Sequence, residues 1–238
     1  MTLTVPCLFG LEALVADEMR RLGLRDVRAE NGRVHCDGTL ADIARLNINL
    51  RCGARVLLEL GSFPAPDFES VFQGVAALPW EDYIPKDGEF PVKGWSLNST
   101  LHSVPACQAI VKKASAKRLG SAYGCETLPE TGSRYQIQFA IVKDVATLYL
   151  DTSGEGLYKR GYRARNMGAP LKETLAAALV TLSRYRGKDP FCDPFCGSGT
   201  IPIEAALIAK NRAPGLDRSF SAQRWKNMDA KLWMDAAD

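Results

Sequence analysis

Positions 193 to 200 read Asp-Pro-Phe-Cys-Gly-Ser-Gly-Thr, an acid followed by two glycines at alternate positions. Pro190-Phe191-Cys192 before it is a short apolar run that reads as a buried strand. Ile201 to Ala209 after it reads as a helix apolar nearly all round, hence buried, with Thr200 as N-cap and Pro202 tolerated in the first turn. Strand, glycine turn and helix make the first crossover of a doubly wound sheet, where ligands lie beyond the carboxyl ends of the strands. Gly197 and Gly199 let the backbone come close to a ligand, and a helix start offers N–H donors.

The ligand is constrained by what the loop lacks. A phosphate-binding loop needs Lys after its last glycine, and Thr200 and Ile201 stand there. A dinucleotide loop needs a third glycine, and Pro202 occupies that place, which disfavours a nicotinamide dehydrogenase. Asp193 repels a pyrophosphate but suits a cation. S-adenosylmethionine carries an ammonium, a sulfonium and no phosphate. The bland alternative is a structural glycine turn.

The full wording, from Asp193 through Gly199-Thr200-Ile201-Pro202-Ile203-Glu204-Ala205-Ala206, resembles the cofactor motif of the THUMP-domain RNA methyltransferases that modify guanine N2. The resemblance implies S-adenosylmethionine contacts at Asp193, Pro194, Phe195, Cys196, Gly197, Ser198, Gly199 and Thr200. Asp193 would hold the charged methionine end or orient the glycine loop. It also implies contacts at Lys172, Glu173 and Thr174, the first turn of a helix bordering the methionine end. By itself that stretch is a good alanine-rich helix whose Leu171, Leu175, Ala178 and Leu182 share a face, ended by Gly187.

The elements that must position this loop follow from the start of the chain. Leu3 to Cys7 alternates as a strand, and Leu11, Leu14, Val15 and Leu22 mark a helix ended by Gly23. Asn31-Gly32 joins a hairpin of Val27–Glu30 and Arg33–Cys36. Thr39 and Asp42 approach a capping box for a helix with Ile43 and Leu46 inward, and Arg55 to Leu60 is a strand. The order β-α-β-β-α-β predicts a ferredoxin-like domain. Asp67 caps a helix carrying Val71, Phe72, Val75 and Leu78. Glu89 to Trp95 is a strand, Leu97 to His102 a polar loop, and a helix runs from about Val104 to Leu119. Gln136–Val142 and Val145–Leu150 form a hairpin about Lys143-Asp144.

Phe90-Pro91-Val92, Ser99-x-Leu101-x-Ser103 and Gln108-x-Ile110-x-Lys112-Lys113-Ala114 look like the core of a THUMP domain, an RNA-binding module. That resemblance implies RNA contacts at Ser99, His102, Lys112, Lys113, Lys117 and Arg118. Periodicity alone places Lys113 and Lys117 together and Lys112 and Arg118 elsewhere round the helix, which a merely solvated face would also show. Lys159, Arg160, Arg163 and Arg165 lie in a glycine-punctuated connector with Tyr162 among them as a stacking surface. A solvated linker would have the same composition.

The composition is that of an ordinary globular protein, 46% hydrophobic and 24% charged, with a net charge of only +3, so RNA affinity must be local. Met1 to Pro6 has neither the basic start nor the apolar core of a secretory leader, and no apolar run approaches the length of a membrane span. Seven irregularly spaced cysteines point to a reducing cytoplasm. Cys192 and Cys196 read as buried small residues rather than a zinc pair, and no metal is expected.

The expected fold class is an α+β N-terminal part, a ferredoxin-like domain over 1–61 and a THUMP domain over 62–155, followed by a basic linker, 156–168. The start of an α/β Rossmann-like methyltransferase domain, 169–238, comes last. Such a domain needs a sheet of about seven strands, more than the 70 residues beyond the linker supply, so a longer parent enzyme is expected. The family's catalytic loop, Asn or Asp followed by two prolines and an aromatic, occurs nowhere in the chain, so no catalytic residue is assigned. The parent activity implied is methylation of guanine N2 in ribosomal or transfer RNA. Adenine-N6 methylation and a non-catalytic RNA-binding protein are the alternatives.

Overall fold

The computed structural model describes residues 1–162 and 171–237. They form two compact units. Unit 1 comprises Met1–Val56, Glu155–Phe220 and Ala230–Asp238, and unit 2 comprises Leu57–Gly154 and Ser221–Asp229.

In unit 1 the Asn31-Gly32 hairpin joins β2 (Arg25–Glu30) to β3 (Arg33–Asp37), with Gly32 at φ +74° where a side chain would be strained. β1 (Thr2–Pro6) pairs antiparallel with β3, placing Leu3 opposite Cys36 and Val5 opposite Val34, all four buried. α1 (Glu12–Arg21) buries Val15, Ala16 and Met19, and the Glu12 carboxylate accepts the Gly10 and Gly32 N–H groups at 2.8 Å each. α2 (Leu40–Asn49) opens on a full Thr39/Asp42 capping box with Ile43 and Leu46 buried, as the sequence predicts. Its C-terminal end meets α7 (Ala230–Ala237), where Asn49 Nδ2 donates to the Ala236 carbonyl at 3.1 Å. α5 (Glu173–Leu182) packs on α6 (Thr200–Ala209).

In unit 2 the strand order is β4-β7-β6-β5, from β4 (Leu57–Pro64), β7 (Val145–Asp151), β6 (Ile137–Val142) and β5 (Val92–Leu97). The β6–β7 turn uses Lys143 and Asp144, both at positive φ, as a two-residue hairpin requires. β5 runs parallel to β6, and α4 (Val104–Tyr123) provides the crossover a parallel pair needs. α3 (Phe68–Ala77) is capped by Asp67, packs on α4 and turns Val71 and Val75 inward. Ser221–Asp229 belongs to this unit: Trp225 stacks on Tyr135 at 5.0 Å between centroids and donates from Nε1 to the Arg134 carbonyl at 3.0 Å.

Several sequence expectations are corrected. Pro190-Phe191-Cys192 forms no strand, and Cys192 and Cys196 are exposed rather than buried. A strand is held by hydrogen bonds to a neighbour, and none of the described residues offers one there. Thr200 is not the N-cap of α6: Gly199, at φ +75°, is, and Thr200 is the first helical residue. α6 is buried on one face only, through Thr200, Glu204 and Ala205. α5 stops at Leu182 rather than at Gly187, and it buries alanines while Leu179 and Leu182 are exposed. The strands expected at Arg55–Leu60 and Glu89–Trp95 lie two to three residues later, and α4 runs on to Gly124, a left-handed C-cap.

Candidate cofactor loop and RNA face

The glycine loop is shaped by its own acid. Asp193 Oδ1 accepts the Phe195 N–H at 3.0 Å, an Asx turn that swings the chain outward. The Cys196 carbonyl accepts the Gly199 N–H at 2.8 Å, closing a second turn onto α6. Gly197 and Gly199 hold φ of +53° and +75°. A Cβ on Gly197 would meet nothing within 4 Å and one on Gly199 only the Ile203 Cδ1 at 3.9 Å. Their need for glycine is therefore conformational, and the space in front of them is open to a ligand. Phe195 is 92% exposed at the rim. The first turn of α6 adds N–H groups without intrahelical acceptors, and Pro202 removes one that would otherwise be orphaned. This donor-rich backbone with one carboxylate fits a zwitterionic ligand without phosphate.

At the start of α5 the three other expected residues divide. Glu173 and Thr174 are buried, whereas Lys172 is exposed at the N-cap, its Nζ 5.4 Å from the centre of the Tyr158 ring.

Behind the loop lies a group the sequence reading left out. Glu204, the sole charge on α6, is 0% exposed. Its Oε1 accepts from Tyr162 Oη at 2.9 Å and from Arg160 Nε at 3.4 Å, while Oε2 has no partner among the described residues. Burial pushes the carboxyl above its ordinary range, against the opposing pull of Arg160, the Tyr162 hydroxyl and Arg51. The signal was present: one carboxylate in an otherwise apolar helix needs a buried partner.

Arg160 is that partner, and this corrects its place among the RNA contacts. It is 3% exposed, and Nη1 donates to the Leu157 carbonyl at 2.8 Å and the Leu50 carbonyl at 3.3 Å. A buried guanidinium is held where its donors are satisfied, so none remains for RNA. The Tyr162 hydroxyl likewise turns inward to Glu204 instead of serving an outward stacking surface. Lys159 stays on the surface, paired with Glu155 Oε1 at 2.6 Å. Arg163 and Arg165 lie outside the described residues.

On α4 the charges separate as the periodicity suggests. Lys112 Nζ sits 2.7 Å from both Glu130 oxygens and 3.3 Å from the centre of the Phe90 ring. Arg118 is bidentate on Glu81, holding that carboxyl below its usual range. Lys112 and Arg118 are thus neutralised within the fold. Lys113 and Lys117 are exposed one turn apart, with no ion pair among the described residues. Ser99 Oγ donates to the Leu97 carbonyl and accepts from the Asp144 N–H, and Asp144 also grips the Thr100 N–H at 2.6 Å, so the 97–102 loop is pre-formed. His102 is exposed at its end. Trp95, unmarked by the sequence reading, is 45% exposed on the β5 face beside Lys93 and Leu97. Strand alternation could have found it.

Three family models tile the chain in this order: the RlmL ferredoxin-like domain over residues 2–57, the THUMP domain over 65–151, and the RMKL-like methyltransferase domain over 160–236. The chain is 46% identical to a putative RNA methyltransferase, YpsC of Bacillus subtilis, over 99% of this chain and 61% of that protein. It is 35% identical to the ribosomal RNA large subunit methyltransferase K/L of Magnetococcus marinus, covering 96% of this chain and 33% of that protein. A crystal structure of SMU.472, a putative methyltransferase complexed with SAH, matches at TM-score 0.94 and 43% identity, covering 99% of this chain and 63% of that one. The chain thus spans about three fifths of YpsC and of SMU.472.

Proposed function

We propose that this chain is the RNA-grasping and cofactor-loop portion of an S-adenosylmethionine-dependent methyltransferase acting on guanine N2 of ribosomal RNA. The observation that carries the reading is the Asp193 turn and its two positive-φ glycines opening α6, within the ferredoxin-like, THUMP and methyltransferase order. Asp193 through Thr200 would hold the cofactor, with Glu173 and Thr174 at the start of α5. Bound there, the cofactor supplies an electrophilic methyl group on a sulfonium. The loop binds and orients it through backbone N–H groups, and Asp193 supplies negative charge. Support for RNA comes from the THUMP match and from the two exposed lysines of α4, Lys113 and Lys117. Cytoplasmic location accords with such a substrate.

The chain lacks an Asn- or Asp-Pro-Pro-aromatic run, so by itself it should transfer no methyl group, and its cofactor affinity should be weak. Titration with S-adenosylmethionine, read by amide NMR, should shift the Gly197 and Gly199 resonances at millimolar concentration. Gly199→Val, forced against φ +75°, should remove those shifts and leave unit 2 resonances in place. Shifts confined to other residues would overturn the assignment. Adenine-N6 transfer is the outcome that would displace guanine N2, read by nucleoside analysis of RNA methylated by the longer enzyme.

RNA binding should survive in this chain alone. Lys113→Glu with Lys117→Glu should weaken every structured RNA about equally and flatten the log–log salt dependence by roughly one per lost phosphate contact. Fluorescence anisotropy across salt concentrations reads both effects. Unchanged binding would make α4 a solvated face.

A further inference from the structure

A cleft within unit 1 is lined by none of the glycine-loop residues. It encloses about 540 Å³, the size range of ligand sites, and Arg21, Arg51, Arg184 and Arg186 line it together with Asn49 and Asn211. We propose that this cleft binds the phosphodiester backbone of RNA.

Charge is the first reason. Arg184 and Arg186 are exposed, and their side chains make no ion pair or hydrogen bond among the described residues. Arg21 contributes only its Nε, to the Asp17 carbonyl at 3.2 Å. Arg51 donates from Nη2 to the Arg212 carbonyl at 3.0 Å, but its Nη1 is buried with no partner among the described residues. A buried guanidinium N–H left unsatisfied costs free energy that an anion in the cleft would recover. Glu18 is the acid in the lining, and it is already engaged: Oε2 accepts the Arg51 and Cys52 N–H groups, and burial pushes its carboxyl up. The neighbouring Asp17 carboxylate is taken by Arg20 at 2.9 Å.

Backbone geometry is the second. Arg184 sits at φ +62°, a conformation that non-glycine residues adopt at a cost, between the end of α5 and Gly187 at φ +76°. A glycine or asparagine would hold that turn more easily, yet an arginine stands there beside Arg186. Guanidinium forks on facing walls suit tetrahedral phosphate oxygens bidentately, and amides such as Asn49 and Asn211 add neutral contacts that position without reading bases.

The inference rests on RNA being the substrate, and the test separates the two. Arg184→Glu with Arg186→Glu leaves no internal bond broken, so the fold should be retained, with an unchanged thermal midpoint as the control. Anisotropy with a structured RNA should show about a tenfold loss of affinity and a salt slope lower by roughly two. Arg184→Gln with Arg186→Gln should lose less affinity than the reversal, and the loss should add to that of the α4 lysine variant. Affinity and slope equal to the parent's would overturn the cleft and leave the RNA reading standing. A parent chain that binds no RNA would sink both. Pyrophosphate and polyglutamate are the competing probes: pyrophosphate should compete weakly as a fragment of the backbone, and polyglutamate of matched charge worse than RNA. Competition by polyglutamate equal to that by RNA would overturn phosphate recognition in favour of an acidic peptide.

Discussion

Arg160→Ala should destabilise unit 1 by about 3–5 kcal/mol, the usual cost of removing one partner from a buried ion pair. The guanidinium is buried with Glu204 and also ties the Leu50, Arg51 and Leu157 carbonyls, so its loss strands a carboxylate and three acceptors together. Urea unfolding of the chain reads the loss, and hydrogen exchange assigns it to unit 1 with unit 2 amides as the internal reference. A change under about 1 kcal/mol would mean that the site is hydrated and the pair weak. The pH dependence has a definite sign. Burial already raises the Glu204 carboxyl, and removing Arg160 removes the strongest force opposing that rise. The folded variant then holds a proton that the unfolded chain has released, so its stability falls as pH rises from about the ordinary carboxyl value toward neutrality. The deficit should accordingly be smallest in acid. A paired replacement, Arg160→Met with Glu204→Leu, should recover much of the stability, because no uncompensated charge remains.

Trp225→Ala should cost unit 2 a comparable 3–5 kcal/mol, the range for deleting a buried aromatic. The indole covers Tyr135, a fully buried ring, and its N–H satisfies the Arg134 carbonyl. Lys226 N–H in turn donates to the Tyr135 hydroxyl at 3.1 Å, so the Ser221–Asp229 segment is held by both polar and apolar contacts. Trp225→Phe should retain part of the stacking and lose the hydrogen bond, giving an intermediate cost. The check is the unfolding midpoint together with exchange at residues 133–136. If those amides remained protected in the alanine variant, the segment would be a passenger on unit 2 and not a part of its core.

Local chemistry in the sequence determined the elements whose signals are self-contained. Asn31-Gly32 set a hairpin because its turn needs a residue that accepts the positive φ Gly32 holds, and Thr39 with Asp42 set a helix start because each satisfies the other's backbone. The glycine loop and its helix were legible for the same reason, since Asp193, Gly197 and Gly199 act on their own neighbours. Periodicity also separated Lys113 and Lys117 from Lys112 and Arg118 on α4 before any coordinates. Only tertiary structure decided what depends on partners distant in the chain. Arg160 looked like a surface cation in a basic linker until the Leu50 and Glu204 acceptors surrounded it, residues 110 and 44 positions away. Residues 190–192 have the composition of a strand and do not form one, because β structure needs a neighbour to bond. The arginine cleft joins positions 21 and 51 to 184 and 186, a concentration of charge that a net +3 cannot reveal, since net charge sums what the fold brings together.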